Sequence, residues 1–299
     1  MSHKKVGKTP VRAGEGLGIR PVRCRRRWSP LHLVSQVLLS AVALIVLFPF
    51  LWMVKEALTP ASDVFRLPPA LDIAHLEWGN FAGAWSYLPF GRFMLNGTIV
   101  ATAGTLITVV VSVLGAYAFG RLTFRGRDIL FIAFLATLML PQEVVVIPMF
   151  VIIMHLKWVN TYPALIVPWA FTAFGTFLLR QFFLTIPREL DDAAGIDGAG
   201  RLRMLRSVIV PMALPAIGVL VVFTFLTYWN SFLWPLIVVN STDMATVPLG
   251  LNMYIGQHSS QWNLLMAAST LSVLPSVVLV IALQRYLVRG IAISGLGGR

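Results

Sequence analysis

Cysteine and charge are both scarce in this 299-residue chain, and each shortage excludes a class of protein. Cys24 is the single cysteine, so no intrachain disulfide can form and cysteine-based metal or redox chemistry is not expected. Charged residues make up 12% of the chain, about half the share usual for soluble domains. Nucleotide-binding motifs are missing as well, because the Gly7-Lys8-Thr9 triplet lacks the earlier glycine of a phosphate-binding loop. We therefore predict a protein that is not an enzyme and has no catalytic residues, cofactor or metal.

Hydrophobic residues are abundant instead, at 57% of the chain, and they are gathered into long runs. Six runs have the length of a helix that crosses a bilayer: 31–54, 94–119, 129–154, 163–183, 208–233 and 265–288. They are too long and too continuously apolar for barrel strands, and lipid cannot satisfy the polar groups of an open backbone. The sequence predicts an all-α membrane protein with six transmembrane helices and no sizeable soluble domain.

The net charge of +12 could indicate a nucleic-acid partner, but its distribution favours another explanation. If the amino terminus lies inside, all but four of the 24 basic residues fall on the inner side. The exceptions are Lys55, Arg66, Arg92 and Lys157. This bias orients membrane proteins, so we predict a membrane protein with both termini cytoplasmic and no nucleic-acid partner.

The chain divides into a basic cytoplasmic tail (1–30), a transmembrane domain (31–289) and a glycine-rich tail (290–299). The basic tail lacks the apolar core of a cleavable signal peptide, so the run that begins at Leu31 is predicted to be an uncleaved anchor.

Glu143 is the one carboxylate placed clearly within a predicted span, between Pro141 and Pro148. A straight helix from Asp128, rising 1.5 Å per residue, would carry it roughly 20–24 Å up, into the outer part of the bilayer. Carboxylates within spans are candidates for a solute pathway or gate, and the prolines indicate backbone that lines a cavity or packs on protein. Polar attachment to a neighbouring helix remains an equal alternative.

The polar segment 185–211 separates two hydrophobic runs and is the most informative part of the chain. Pro187 suits the first turn of a helix, and acidic residues follow near the positive end of the helix dipole. Ala193 and Ala194 would form a flat face, and Gly195 and Gly198 would let the chain stop and turn where a Cβ would clash. The residues favour a short surface helix that docks on a soluble partner, with an ordinary amphipathic loop as the alternative.

This segment resembles the EAA loop of ATP-binding-cassette (ABC) importer permeases. The family pattern is Glu-Ala-Ala, three residues, glycine, nine residues and Ile-x-Leu-Pro. Here Asp192-Ala193-Ala194 is followed after three residues by Gly198, and after nine more by Val208-Ile209-Val210-Pro211. The spacing matches fully, while aspartate replaces glutamate and valine replaces isoleucine and leucine.

The resemblance extends from about Asn96 to the carboxyl end and is greatest for the carbohydrate-uptake branch. Trp229-Asn230-Ser231-Phe232-Leu233-Trp234-Pro235-Leu236 and the closing Gln284-Arg285-Tyr286-Leu287-Val288-Arg289-Gly290 are similar to the six-span permease partner of maltose-type transporters. The resemblance implies a type I ABC importer permease fold with a cytoplasmic coupling helix, in the bacterial plasma (inner) membrane. It also implies a second permease subunit in a heterodimer, a cytosolic ABC ATPase dimer that hydrolyses the ATP, and an extracellular or periplasmic solute-binding protein. The imported solute would be a sugar or related polar molecule, and the glycine-rich tail would reach into the ATPase dimer.

The resemblance also implies site residues. The residues implied for ATPase coupling are Glu189, Asp192, Ala193, Ala194, Asp197, Gly198 and Ala199. Glu143, Asn230 and Ser231 are weaker candidates for the translocation path. An ion-gradient-driven secondary carrier is the alternative function, although the sequence indicates no second buried charge besides Glu143 and no evident repeat between the halves of the chain. A membrane scaffold without transport activity has no supporting signature.

Overall fold

The regular structure in the described part of the chain is helical. The computed structural model describes residues 30–64, 66, 76–255 and 261–296. Its α-helices, in chain order, are α1 (Pro30–Ala57), α2 (Gly79–Tyr87), α3 (Phe90–Arg121), α4 (Arg127–Ala136), α5 (Gln142–His155), α6 (Tyr162–Ile166), α7 (Ala173–Thr185), α8 (Glu189–Ile196), α9 (Arg201–Met204), α10 (Val210–Met212), α11 (Leu214–Trp229), α12 (Leu233–Val238), α13 (Val247–Asn252) and α14 (Trp262–Leu296).

The described residues before Pro49, all in α1, form one unit, and those from Pro49 onwards form a second. Three stretches are long and apolar enough to cross a membrane without a break: Val34–Ala57, Phe90–Arg121 and Trp262–Leu287. Three bent pairs of helices also qualify if each counts as one span: Arg127–Met139 with Gln142–His155, Tyr162–Trp169 with Ala173–Thr185, and Arg201–Met212 with Leu214–Trp229. These six correspond to the six predicted spans.

Prolines lie at or near the bends, although Pro49, Pro148 and Pro275 lie inside helices that continue through them. The chain turns by 101° before α5, where Pro141 stands, by 46° before α7 and by 80° before α11. Proline lacks a backbone N–H and clashes with the preceding helical turn, so it interrupts the hydrogen-bond ladder. Broken spans are tolerated in lipid only where the freed backbone packs on protein or lines a cavity.

The core of the second unit is built around α3, which packs against α7 and α11, while α11 also packs against α14. Small residues permit the close approach of α3 and α7: a Cβ added at Gly175 would collide with Ser112, and one at Gly115 would press on Thr176. Van der Waals packing of small residues is the main attraction between helices in lipid. The α3 helix is therefore the central element of this unit.

The amino-terminal end of α3 is fixed by Asn96, whose side chain is fully buried. Its Nδ2 donates to the carbonyl oxygens of Asp243 (2.7 Å) and Ala245 (2.9 Å), and its Oδ1 accepts from the Tyr162 hydroxyl (2.7 Å). In the same region burial, with a smaller effect of Tyr87, raises the pKa of Tyr254 to about 12. The Tyr254 hydroxyl therefore stays protonated and donates to the Ala84 carbonyl.

One expectation needs correction, and two predicted segments can be compared with the described residues. The straight-helix height given to Glu143 is wrong, because the chain turns by 101° between α4 and α5. The predicted glycine-rich tail 290–299 is helical up to Leu296, as the continuation of α14. The predicted basic tail lies outside the described residues, apart from Pro30 at the start of α1.

Candidate coupling helix and membrane cavity

The polar segment forms a short helix, α8 (Glu189–Ile196), that buries none of its residues. Its first turn contains Glu189, Asp191 and Asp192, whose negative charges are favourable beside the free N–H groups at a helix amino terminus. Isolated helices of this length are marginal in water, so α8 depends on its ends and on its attachment to the rest of the protein.

The carboxyl end of α8 is a Schellman motif. The Ala199 N–H donates to the Ala194 carbonyl (2.9 Å), and the Gly198 N–H donates to the Gly195 carbonyl (3.0 Å). Gly198 has a φ of 74°, the left-handed conformation that this motif requires. Apart from the adjoining backbone, no atom in the described part of the chain lies within 4 Å of a Cβ added at Gly198 or Gly195. The expectation that a Cβ would clash therefore holds for Gly198, where the left-handed backbone itself opposes a Cβ. It is wrong for Gly195, which lies inside the helix.

The two predicted alanines lie on different faces of α8. Ala194 is half-buried, as is Ala199, which follows the helix, whereas Ala193 is exposed. The exposed surface also includes Glu189, Asp192 and Asp197. Ile196, which the sequence did not single out, is 88% exposed. An isoleucine so exposed on a helix with no buried residue makes a candidate contact for another protein.

One ion pair joins α8 to the membrane-spanning helices. Nη1 of Arg121, at the end of α3, lies 2.9 Å from Oδ2 of Asp191. Neither residue was among the predicted coupling residues. The sequence does not show which of the adjacent carboxylates pairs with the spans, because this depends on which face of the helix meets the protein. Arg121 likewise counts in the sequence only toward the positive charge predicted for the inner side.

The weak pathway candidates lie together, in a cavity of about 530 Å³. Glu143 reaches it from the start of α5, and Asn230 and Ser231 reach it from the end of α11. Thr172, between the two halves of another broken span, also lines it, and its Oγ1 accepts a hydrogen bond from the Phe174 N–H. The cavity lies at the breaks in the spans, as expected for irregular backbone at membrane depth.

The cavity wall combines aromatic rings with groups that form hydrogen bonds. The aromatic residues are Trp169, Phe174, Phe223, Tyr228 and Phe232. The uncharged polar residues are Gln142, Thr172, Thr224, Thr227, Asn230 and Ser231. Glu143 is the charged member of this lining, and its side chain is exposed rather than buried. The volume and the mixed lining are those of a site for a small polar molecule with apolar faces.

Two residues of the cavity wall, Tyr228 and Trp169, pack against the core. The Tyr228 hydroxyl donates to the Ile166 carbonyl (2.9 Å), and its ring lies against Gly104 of α3, where an added Cβ would come within 2.5 Å of the ring. Trp169 packs edge-on against Trp234. Its indole Nε1 is buried and has no hydrogen-bond partner in the described part of the chain. The cavity wall is therefore connected to α3 through Tyr228.

A helical membrane protein with a polar cavity among broken spans and an exposed inter-span helix has the architecture of a transport permease. A family model described as "Binding-protein-dependent transport system inner membrane component" matches residues 109–293. The chain belongs to this family. It is thus a membrane-embedded permease subunit of an ABC importer, in which ATP hydrolysis belongs to a separate subunit, and the family match favours neither an ion-driven carrier nor a scaffold.

Curated relatives match along nearly their whole length. The "sn-glycerol-3-phosphate transport system permease protein UgpE" of Pectobacterium atrosepticum is 36% identical over 272 residues, covering 88% of this chain and 97% of that protein. The protein of the same name from Salmonella typhi is 36% identical over 273 residues, again with 88% and 97% covered. That from Escherichia coli O1:K1 is 35% identical over 278 residues, covering 90% and 98%.

Solved structures confirm the fold. A chain of a bacterial ABC transporter involved in import of the acidic polysaccharide alginate aligns with a TM-score of 0.75 at 21% identity, covering 86% of this chain and 96% of that one. A chain of the alginate transporter in complex with its pentasaccharide-bound periplasmic protein aligns with a TM-score of 0.59 at 16% identity, with the same coverage. The predicted importer permease fold is confirmed.

Proposed function

We propose that this chain imports a sugar or related polar solute through the cavity at its broken spans, driven by an ATPase that docks on α8. The observation that carries the coupling role is α8 itself. It has a complete carboxyl-terminal cap, an ion pair to the spans and no buried residue. A helix that is built and attached in this way, yet contributes nothing to the core, is suited to contact another protein.

The proposed docking surface consists of Glu189, Asp192, Ala193, Ile196 and Asp197, all exposed. Its carboxylates would meet basic groups of the ATPase, and Ile196 would enter an apolar pocket, since apolar contacts contribute more than exposed ion pairs. Ala194, Gly198 and Ala199 act on this surface indirectly, by forming the cap that holds α8 together.

The cavity is the proposed solute path of this subunit, with Glu143, Asn230 and Ser231 in its wall. Aromatic rings can cover the apolar faces of a sugar or polyol, while hydroxyl, amide and carboxylate groups bind its hydroxyls. The relatives are named for transport of sn-glycerol-3-phosphate, and the matched structures belong to alginate import. Both are hydroxyl-rich solutes, which supports a polar, hydroxyl-bearing molecule as cargo.

The assembly follows from the family and the charge distribution. A binding-protein-dependent system requires a loaded binding protein outside, and we propose a second permease subunit and a cytosolic ATPase dimer besides. The distribution of basic residues supports a cytoplasmic location for both termini, and for α8 with them. ATP on the inner side and the solute-loaded binding protein on the outer side would then shift one equilibrium between inward-open and outward-open states of the permease.

Reconstitution of the purified complex into proteoliposomes tests this function. The liposomes receive ATP inside and one of four binding proteins outside: loaded with a neutral sugar, with a polyol phosphate, with an acidic oligosaccharide, or empty. We expect one loaded protein to stimulate ATP hydrolysis and solute accumulation together, and the empty protein to do neither. Accumulation driven by an ion gradient in liposomes without the ATPase would instead establish a secondary carrier and contradict the proposal.

A further inference from the structure

The guanidinium of Arg121 joins three helices at the inner end of the second unit. Its Nη1 is 2.9 Å from Oδ2 of Asp191 on α8, and its Nη2 donates to the carbonyl oxygens of Phe183 (2.6 Å) and Ile186 (2.7 Å) at the end of α7. The arginine is itself the last residue of α3. Its side chain is only 3% exposed, so the charge is almost fully withdrawn from water.

The ion pair is also the specific side-chain attachment of α8. Among the described residues, Asp191 is the one side chain of α8 that forms a hydrogen bond or ion pair with another element. The remaining carboxylates of the helix point to exposed positions. A force applied to α8 by a partner therefore reaches the spans through Arg121 and through the chain connections at either end.

The hydrogen-bonding groups of this ion pair are incompletely satisfied. Arg121 Nε and Asp191 Oδ1 are buried and have no hydrogen-bond partner in the described part of the chain. Arginine and a carboxylate can form two parallel hydrogen bonds, and here they form one. The side-chain attachment of α8 to α3 thus depends, among the described residues, on a single hydrogen bond between opposite charges.

The α3 helix connects this ion pair with the cavity and with the outer surface. Its 32 residues span about 48 Å at 1.5 Å per residue. Gly104, about halfway along, touches the ring of Tyr228 in the cavity wall, and Asn96 near the outer end binds the loop that contains Asp243 and Ala245. An unbroken helix transmits a displacement along its axis, whereas the spans bent by 46°, 80° and 101° do so less directly.

We propose that Arg121 is a positioning residue that transmits the movement of α8 into α3, and through α3 to Tyr228 in the cavity wall. This inference rests on the proposed coupling role of α8. The ion pair keeps α8 and α3 in contact as the ATPase closes and opens, so that hydrolysis is converted into rearrangement of the cavity. Loss of the pair should leave an ATPase that is docked and active but poorly coupled to transport.

The test uses Asp191→Asn, which removes the charge with little change in size, and Asp191→Glu, which restores the charge. Asp128→Asn is the matched control, because it breaks an ion pair of the same 2.9 Å length, with Arg127, in which the carboxylate is 69% exposed. Each variant is reconstituted as the full complex. Three quantities are measured: cross-linking of α8 to the ATPase through Ala193→Cys, ATP hydrolysis, and solute transported per ATP.

For Asp191→Asn we expect normal cross-linking and hydrolysis, with transport per ATP reduced about tenfold, the size of a typical coupling between sites. Asp191→Glu should recover most of that loss, and Asp128→Asn should match the unmodified chain. An Asp191→Asn complex that transports normally per ATP would overturn the proposal. So would one that loses the cross-link, because Asp191 would then be needed for docking rather than for transmission.

If the complex with Asp191→Asn fails to assemble, Arg121→Lys tests the same ion pair from the arginine side. Lysine keeps the charge, but one ammonium group cannot serve the carboxylate and both carbonyls in the geometry of the guanidinium fork. Docking should persist and transport per ATP should fall; full coupling in this variant would refute the inference. A chain that carries Ala193→Cys alone, with Asp191 and Arg121 intact, tests the proposed function separately. If this chain never captures an ATPase, the proposed function itself fails, which is distinct from a failure of the Arg121 proposal.

Discussion

Gly198 and Gly195 form a matched pair that tests why the EAA loop contains glycine at one position. Both have open space where a Cβ would stand, so a substitution at either meets no neighbouring side chain among the described residues. They differ in backbone conformation. Gly198 has a φ of 74° in the cap, whereas Gly195 lies within α8 and lacks a positive φ.

The magnitudes follow from this difference. Alanine at position 198 would adopt a left-handed conformation at a cost of about 1–2 kcal/mol. Alanine in place of Gly195 would stabilise a helix interior by about 1 kcal/mol. Each 1.4 kcal/mol changes an equilibrium about tenfold, so Gly198→Ala should raise the unfolded fraction of α8 roughly tenfold, and Gly195→Ala should lower it. Asparagine tolerates the left-handed region and valine does not, which predicts declining stability at position 198 from glycine through asparagine and alanine to valine.

Hydrogen exchange of peptides covering 187–200 measures α8 directly, and ATP-driven transport measures its function. Exchange should become about tenfold faster in Gly198→Ala and slower in Gly195→Ala, in proportion to the changes in local opening free energy. Transport should fall across the series at position 198 while the chain still inserts into the membrane. Equal exchange in the two alanine variants, or normal transport with valine at 198, would refute the reasoning.

Three further substitutions test the cavity and its supports. Glu143→Gln should raise the solute concentration for half-maximal transport about tenfold, through loss of a charged acceptor, while basal ATP hydrolysis is unchanged; an unaltered concentration dependence would remove Glu143 from the path. Asn96→Leu removes three hydrogen bonds and leaves their partner groups unsatisfied, so it should lower the free energy of unfolding by about 3 kcal/mol. The loss should appear as a lower unfolding temperature in detergent, and an unchanged temperature would contradict the bonding described. Gly104→Val should displace the Tyr228 ring and impair transport more than ATPase docking, as measured by uptake and by cross-linking through α8; normal uptake would show that the ring can move aside.

The six spans could be predicted from the sequence because lipid imposes a simple requirement on length and polarity. Their bends could not be placed in the same way. Proline marks where a helix is weakened, but the angle depends on what the broken ends pack against, so a straight rise from Asp128 misplaced Glu143. The grouping of Glu143 with Asn230 and Ser231 in one cavity is likewise a consequence of tertiary structure.

The coupling helix α8 could also be predicted only in part. The acidic first turn and a glycine stop predicted a short helix near its observed bounds. Its orientation was not predicted, because Ala193 and Ala194 are alike in sequence and lie on different faces once α8 is attached through Asp191. A helical projection would have placed Asp191 and Ala194 on one side, since residues three apart are neighbours. The partner of that side, Arg121, lies 70 residues away and is visible only in the fold.

Cross-linking from α8 measures the central proposal most directly. In a chain with Cys24→Ser, the protein has no native cysteine, so a single cysteine at Ala193 reports its own surroundings. We predict that Ala193→Cys captures the cytosolic ATPase, whereas a cysteine replacing Trp78, which is 67% exposed before α2, captures none and is labelled from the outer side instead. Labelling of position 193 from outside, or its failure to capture an ATPase in the assembled complex, would contradict the account.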